Sequence, residues 1–168
     1  MGDSWGYYST KTARNVVAVD PGLNFCGVAW FMDGGTVPTR VEVVKPTRGK
    51  DLGHRMAQVA EAVGSKGANF SDHLVIEMPA FQSGATREMG WKTGDLQKLT
   101  LLVGYLCAHD WGRVTLVTPF EWKGQLPKTV VMERIKRRLG AGECLRLGIE
   151  RDGWDAVGIG LYALTGKV

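Results

Sequence analysis

The chain has 168 residues, 44% of them hydrophobic and 23% charged, with a formal net charge of +4. Such a length fits one ordinary domain that buries roughly 70% of its unfolded surface, and such a composition excludes disorder everywhere but residues 1–14 (MGDSWGYYSTKTAR), an aperiodic flexible lead-in to a single domain over 15–168. No apolar run reaches membrane-span length, no signal-peptide pattern is visible, and three scattered cysteines (Cys26, Cys107, Cys144) offer neither a disulfide framework nor zinc spacing, so a soluble cytoplasmic protein with reduced thiols is expected.

Residues 15–20 (NVVAVD) predict a short buried strand that ends in an acid. Pro21-Gly22-Leu23-Asn24 is turn chemistry, 26–32 (CGVAWFM) is apolar again, and Asp33-Gly34-Gly35 closes it, which makes a hairpin. Residues 40–44 (RVEVV) alternate as a third strand with one exposed face would. Leu52, Met56, Val59, Ala60 and Val63 recur at helical spacing, predicting a helix over 51–66 capped by Asp51. Residues 73–77 (HLVIE) form a fourth strand, again ending in an acid, and 79–93 read as a loop. Leu96, Leu99, Leu102, Val103 and Leu106 mark a second helix. Residues 113–118 (RVTLVT) are a fifth strand stopped by Pro119, and 127–139 (PKTVVMERIKRRL) form a basic amphipathic helix with proline in its first turn. Residues 141–150 show little pattern, and 152–164 make a last, apolar helix. The order predicts an α/β fold, a mixed five-stranded sheet flanked by helices.

Charge is unevenly placed. Residues 113–151 hold nine basic and four acidic side chains, while the rest of the chain is nearly neutral. A basic segment on a neutral body suits a polyanion, although a solvated helix face looks the same in sequence.

Four acids fall at informative places. Asp20 and Glu77 end strands, and Asp152 and Asp155 lie three apart at the head of the last helix, on one face. Converging carboxylates repel one another unless cations sit among them, and hard oxygen donors select magnesium or manganese. Two such ions about 4 Å apart can clamp the attacking and leaving oxygens of a phosphodiester. Each acid also has a plain structural reading. Asp20-Pro21-Gly22 is a common turn, Glu77 a surface acid, and Asp152 with Asp155 a capping box favoured by the helix dipole. None of these readings explains why the acids fall at strand 1, strand 4 and the final helix together.

Three motifs carry a resemblance. VVAVDPGLNFCGVA (16–29), VIEMPAF (75–81) and RDGWDAVGIGLYA (151–163) resemble, in order and context, the three acidic motifs of RuvC-type Holliday junction resolvases, members of the ribonuclease-H-like superfamily. The resemblance spans residues 15–165, and the short chain looks more like a phage-type member, which would act in a host cytoplasm. It implies a ribonuclease-H-like fold and a homodimeric endonuclease that cuts four-way junctions in DNA recombination and repair. It also implies a metal tetrad of Asp20, Glu77, Asp152 and Asp155 holding two Mg2+ or Mn2+ ions, with Asp20 bridging both. Lys123 and Lys128 match the family's basic residues beside the scissile phosphate. Phe81 matches its loop aromatic, able to wedge between bases, with Trp91 a weaker candidate. Arg134, Lys136, Arg137 and Arg138 would grip phosphates without reading sequence.

Competing readings share the fold or part of it. A nuclease for RNA–DNA hybrids or flaps would use the same acids. A non-catalytic DNA-binding protein would be favoured by loss of an acid, yet all four are present. An actin-like or sugar-kinase fold needs two lobes, for which 168 residues are too few.

Overall fold

The computed structural model of the protein describes residues 15–64, 73–79 and 94–168, so the expected tail over 1–14 lies outside the described residues. Five strands run β1 (Val16–Asp20), β2 (Cys26–Phe31), β3 (Arg40–Val44), β4 (His73–Glu77) and β5 (Arg113–Val117). The helices of the described residues are α1 (Leu52–Gly64), α2 (Asp95–Cys107), α3 (Pro119–Lys123), α4 (Lys128–Leu139), α5 (Ala141–Leu147) and α6 (Gly153–Thr165).

The strands form one sheet in the order β3-β2-β1-β4-β5. The β-branched, apolar runs of β1 and β4 suit central strands covered on both faces. β1–β2 and β2–β3 are antiparallel, whereas β4 lies parallel to both β1 and β5. The expected α/β fold, a mixed five-stranded sheet flanked by helices, is therefore present.

Side chains alternate between two apolar layers, as the pleat requires. Val17, Val19, Val28, Trp30, Leu74 and Ile76 pack beneath α1 and α2. Val16, Ala18, Ala29, Phe31, Val75 and Val117 meet α4 and α6 on the other face. Each fully buried large side chain contributes about 1.5–3 kcal/mol. α6 is the deepest helix, with every residue from 153 to 161 buried. It lies unusually close to the sheet because glycines leave room: a Cβ on Gly160 would come within 2.1 Å of the Phe31 ring, and one on Gly27 within 2.3 Å of the Asp152 carbonyl oxygen.

Two elements depart from the sequence expectation. The stretch after β5 is a short helix, α3, closed by a capping box between Thr118 and Glu121 with Pro119 at its start. Residues 141–147 also form a helix, bounded by Gly140 and Gly148 at positive φ. No residue of α5 is fully buried and Leu145 is exposed; only Cys144 and Leu147 rest partly against the core, too short a stripe for periodicity to be read. Arg146 ties it to the chain before β3 through the carbonyls of Pro38 (2.9 Å) and Thr39 (3.3 Å). α1 begins as expected, with Asp51 Oδ1 accepting the His54 backbone N–H at 2.9 Å.

Candidate active site

The site begins with strand register. β1 and β4 pair in parallel, Val19 opposite Ile76. The next residues, Asp20 and Glu77, thus end neighbouring strands at one level. Alternation sends both toward α6, because Val16 and Ala18 of β1 and Val75 of β4 already pack on that side. Ligands in open α/β sheets gather at the carboxyl ends of parallel strands. α6 supplies the other wall. Its first turn carries Asp155, only 8% exposed, and Asp152 stands just before it. The Asp152 side chain makes no capping hydrogen bond, which removes the capping-box reading of this pair and leaves its carboxylate available.

Two lysines complete the cluster. Lys128 opens α4 and forms an ion pair with Asp155, with Asp152 Oδ1 at 3.8 Å. Lys123, at the end of α3, lies 4.0 Å from Glu77 Oε2 and 4.7 Å from the centre of the Trp122 ring. All six residues expected to do the chemistry are thus brought together: Asp20, Glu77, Asp152, Asp155, Lys123 and Lys128.

The electrostatics show what the cluster lacks. Burial, then the charges of Glu77 and Asp155, push the Asp20 carboxyl up to about 8, against the opposing pull of Lys128 and Lys123. Burial also raises Glu77, while the Trp122 indole hydrogen bond and Lys123 pull it back. Ionising Asp20 is therefore costly, first because it is buried and then because two acids face it, even with both ammonium groups in place. A hard divalent cation would offset that cost, and four carboxylates are the donor set it prefers, so these residues fit a metal site. Among the described residues, no three Asp, Glu, His or Cys side chains already form a cage for an ion. The Lys128 ammonium engages Asp155 and would compete with an ion for that oxygen.

Two contributors were not marked by motif or spacing. The Trp122 indole N–H donates to Glu77 Oε2 at 2.6 Å. Its signal was the Thr118-x-x-Glu121 box, which builds the helix that presents it. Arg55 of α1 donates to the Leu23 carbonyl and to Asn24 Oδ1 (3.1 Å), clamping the loop that follows Asp20. No sequence pattern links positions so far apart.

The DNA-binding candidates separate. Arg134, Arg137 and Arg138 line a shallow groove of about 460 Å3 together with Lys167 and Val168. Lys136 instead pairs with Glu133 at 2.8 Å and lies over the Trp154 ring. Phe81 and Trp91 lie outside the described residues.

Comparison with solved structures decides the fold. The chain superposes on Thermus thermophilus RuvC in complex with a Holliday junction substrate with a TM-score of 0.55 and 18% identity, covering 90% of this chain and 94% of that one. A second Thermus thermophilus RuvC structure gives 0.51 and 20%, covering 90% and 96%. The chain has the RuvC-type resolvase fold. The yeast mitochondrial Holliday junction resolvase Ydc2 shares it at a TM-score of 0.57 and 12% identity, covering 91% of this chain and 79% of that one. No protein-family model and no curated protein sequence matches the chain. Among the described residues no helix is long and apolar enough to cross a membrane.

Proposed function

We propose that the protein is a metal-dependent, structure-selective DNA endonuclease that cuts Holliday junctions or other branched DNA, in recombination and repair. One observation carries the reading: Asp20 and Glu77 end adjacent parallel strands facing Asp155, and burial, then the charges of those two acids, pushes the Asp20 carboxyl up to about 8. A structural acid gains nothing from such a position; a cation site does.

Asp20, Glu77, Asp152 and Asp155 would hold two Mg2+ or Mn2+ ions, and the ions would supply Lewis acidity to the attacking water and the leaving oxygen. Lys123 and Lys128 flank the acids and would meet the negative charge of the scissile phosphate. Arg134, Arg137 and Arg138 would hold a neighbouring stretch of backbone, and Lys136 stands on the same helix. Phe81 is the sequence's candidate for a wedge at the branch point. We include a homodimer in the reading. Two symmetric cuts suit two copies, and α2 leaves Leu101 (57% exposed) and Tyr105 uncovered by the described fold.

The test is cleavage of a synthetic four-way junction with Mg2+ beside flap and RNA–DNA hybrid substrates. Paired nicks near the crossover are expected, with Asp20→Asn binding the junction but leaving it intact. Equal cleavage by Asp20→Asn would end the mechanism, and cutting of hybrids alone would move the function to a ribonuclease.

A further inference from the structure

Glu77 has two carboxylate oxygens, and they meet different surroundings. Oε2 accepts the Trp122 indole N–H at 2.6 Å and has Lys123 Nζ at 4.0 Å. Among the described residues, Oε1 has no hydrogen bond or ion pair. A strand-terminal glutamate has three side-chain torsions and would otherwise sample several orientations at a site that needs one.

We infer that Trp122 is a positioning residue for the reaction: its indole N–H locks Glu77 by one oxygen and leaves the other as the donor to the metal. The inference rests on the nuclease reading proposed above.

Trp122 suits this work because nearly all its own freedom is removed. It is 3% exposed, and its ring occupies the space of a missing side chain, since a Cβ on Gly158 of α6 would come within 2.5 Å of Trp122 Cζ3. Ile135 of α4 borders the same seat. The backbone beneath it is fixed as well. Thr118 N–H donates to Glu121 Oε2 at 2.6 Å, and Glu121 N–H donates to Thr118 Oγ1 at 3.3 Å, closing both orphan donors at the start of α3. A ring seated between α4 and α6 therefore points one N–H at one oxygen. Indole is a donor only, so it cannot serve as a ligand in Glu77's place. The arrangement has the form of an outer-shell partner, which orients a ligating carboxylate.

A pure packing role predicts something else. A ring that only fills space would lower stability when trimmed, while metal affinity and turnover in the surviving folded protein stayed the same. The two roles separate with two variants. Trp122→Phe removes the N–H along with some volume. Replacing Trp122 by benzothienylalanine, which carries sulfur in place of the N–H, keeps the shape and removes only the donor. Mn2+ affinity is measured by electron paramagnetic resonance without DNA, and kcat and KM on a four-way junction.

Both variants are expected to bind Mn2+ about 10-fold more weakly and to lose about 10- to 100-fold in kcat, the range for outer-shell partners. KM for the junction should stay within about twofold, because no DNA-contacting charge is touched. The benzothienyl variant should melt near the wild-type temperature. Combined with Glu77→Gln, either change should add no further loss, since its effect passes through Glu77. Wild-type Mn2+ affinity and kcat in the benzothienyl variant would overturn the inference while leaving the nuclease reading intact. Failure of the wild type itself to bind Mn2+ or to cut would overturn both.

Discussion

At the start of α4 the Lys128 ammonium is tied to Asp155 and stands 3.8 Å from Asp152. Roughly 9–14 Å further along the same helix, by its rise per residue, Arg134 and Arg137 are exposed and form no ion pair among the described residues. One helix thus carries cations in two conditions. The first is inside a cluster of acids, where each charge is felt strongly and geometry decides the outcome. The second faces solvent in an open groove, where charge is screened and shape is permissive. The contrast suggests a division of labour, chemistry at one end of the helix and backbone grip at the other. Each end should answer to a different experiment.

The largest effect is expected from the acids. Asp155→Asn keeps the size of a nearly buried side chain and removes its charge. Cleavage should fall by about 10^3-fold or more, equivalent to about 4 kcal/mol of barrier, with junction affinity close to wild type. A loss below tenfold in single-turnover cleavage would show that this end of α4 does not hold the chemistry.

Lys128 comes next, because it belongs to both the acids and the substrate. Lys128→Met keeps much of the aliphatic stem and removes the ammonium. Two changes of opposite sense are expected. Mn2+ binding should tighten severalfold as a competitor for Asp155 disappears, and kcat should fall by about 10^2-fold as a phosphate partner is lost. Unchanged Mn2+ affinity would mean that Lys128 leaves the acids freely and that the two ends of α4 differ little.

A smaller effect belongs to the far end. Arg134→Ala with Arg137→Ala should weaken binding of any duplex arm, whatever its sequence. It should also reduce the slope of log affinity against log salt by about 2, one for each lost phosphate contact. Turnover of bound junction should be little changed. A fall in kcat at an unchanged salt slope would place these arginines in the reaction instead.

Both ends were legible in sequence to different depths. The strands announced themselves because β1 and β4 are short, apolar and stopped by acids. Once those strands lie parallel in register, the meeting of Asp20 and Glu77 follows. Asp152 and Asp155 were readable from helical spacing alone. Partnerships made across the fold were not. Trp122 reaches Glu77 over a separation of 45 residues, and Arg55 reaches Leu23 over 32. Neither contact has a period or a motif, since each depends on where helices come to rest on the sheet. α5 was invisible for the opposite reason: it is short and sets only Cys144 and Leu147 partly against the core, too little for a period to show. Lys167 joins the arginine groove because α4 and α6 end side by side, with Arg138 donating to the Lys167 carbonyl at 3.1 Å.

The smallest effect is on stability, and it sets two titrating groups against each other. Asp20 has its carboxyl raised to about 8 in the fold, from the usual 3.8. Between those values the folded metal-free protein holds a proton that the unfolded chain has lost, so this group favours folding less as pH rises from about 4 to 8. His73 does the reverse. Burial, then the charge of Arg113, lowers it to about 4, and its Nε2 lies 2.8 Å from Thr115 Oγ1. Between about 4 and 6.5 the unfolded chain holds a proton that the fold has released, so stability rises with pH across that window. Above about 6.5 the Asp20 effect is unopposed by His73. Metal-free protein should therefore melt several degrees lower at pH 8 than at pH 6.5, on a scale of about 2–4 °C per kcal/mol. Asp20→Asn should remove most of that slope and raise the pH 8 melting temperature. Saturating Mg2+ should do the same to the wild type, because an ion that binds only the folded state adds stability by mass action. A melting temperature as flat with pH in the wild type as in Asp20→Asn would show that Asp20 at the end of β1 does not hold an extra proton in the fold, and that no cation is needed to relieve it.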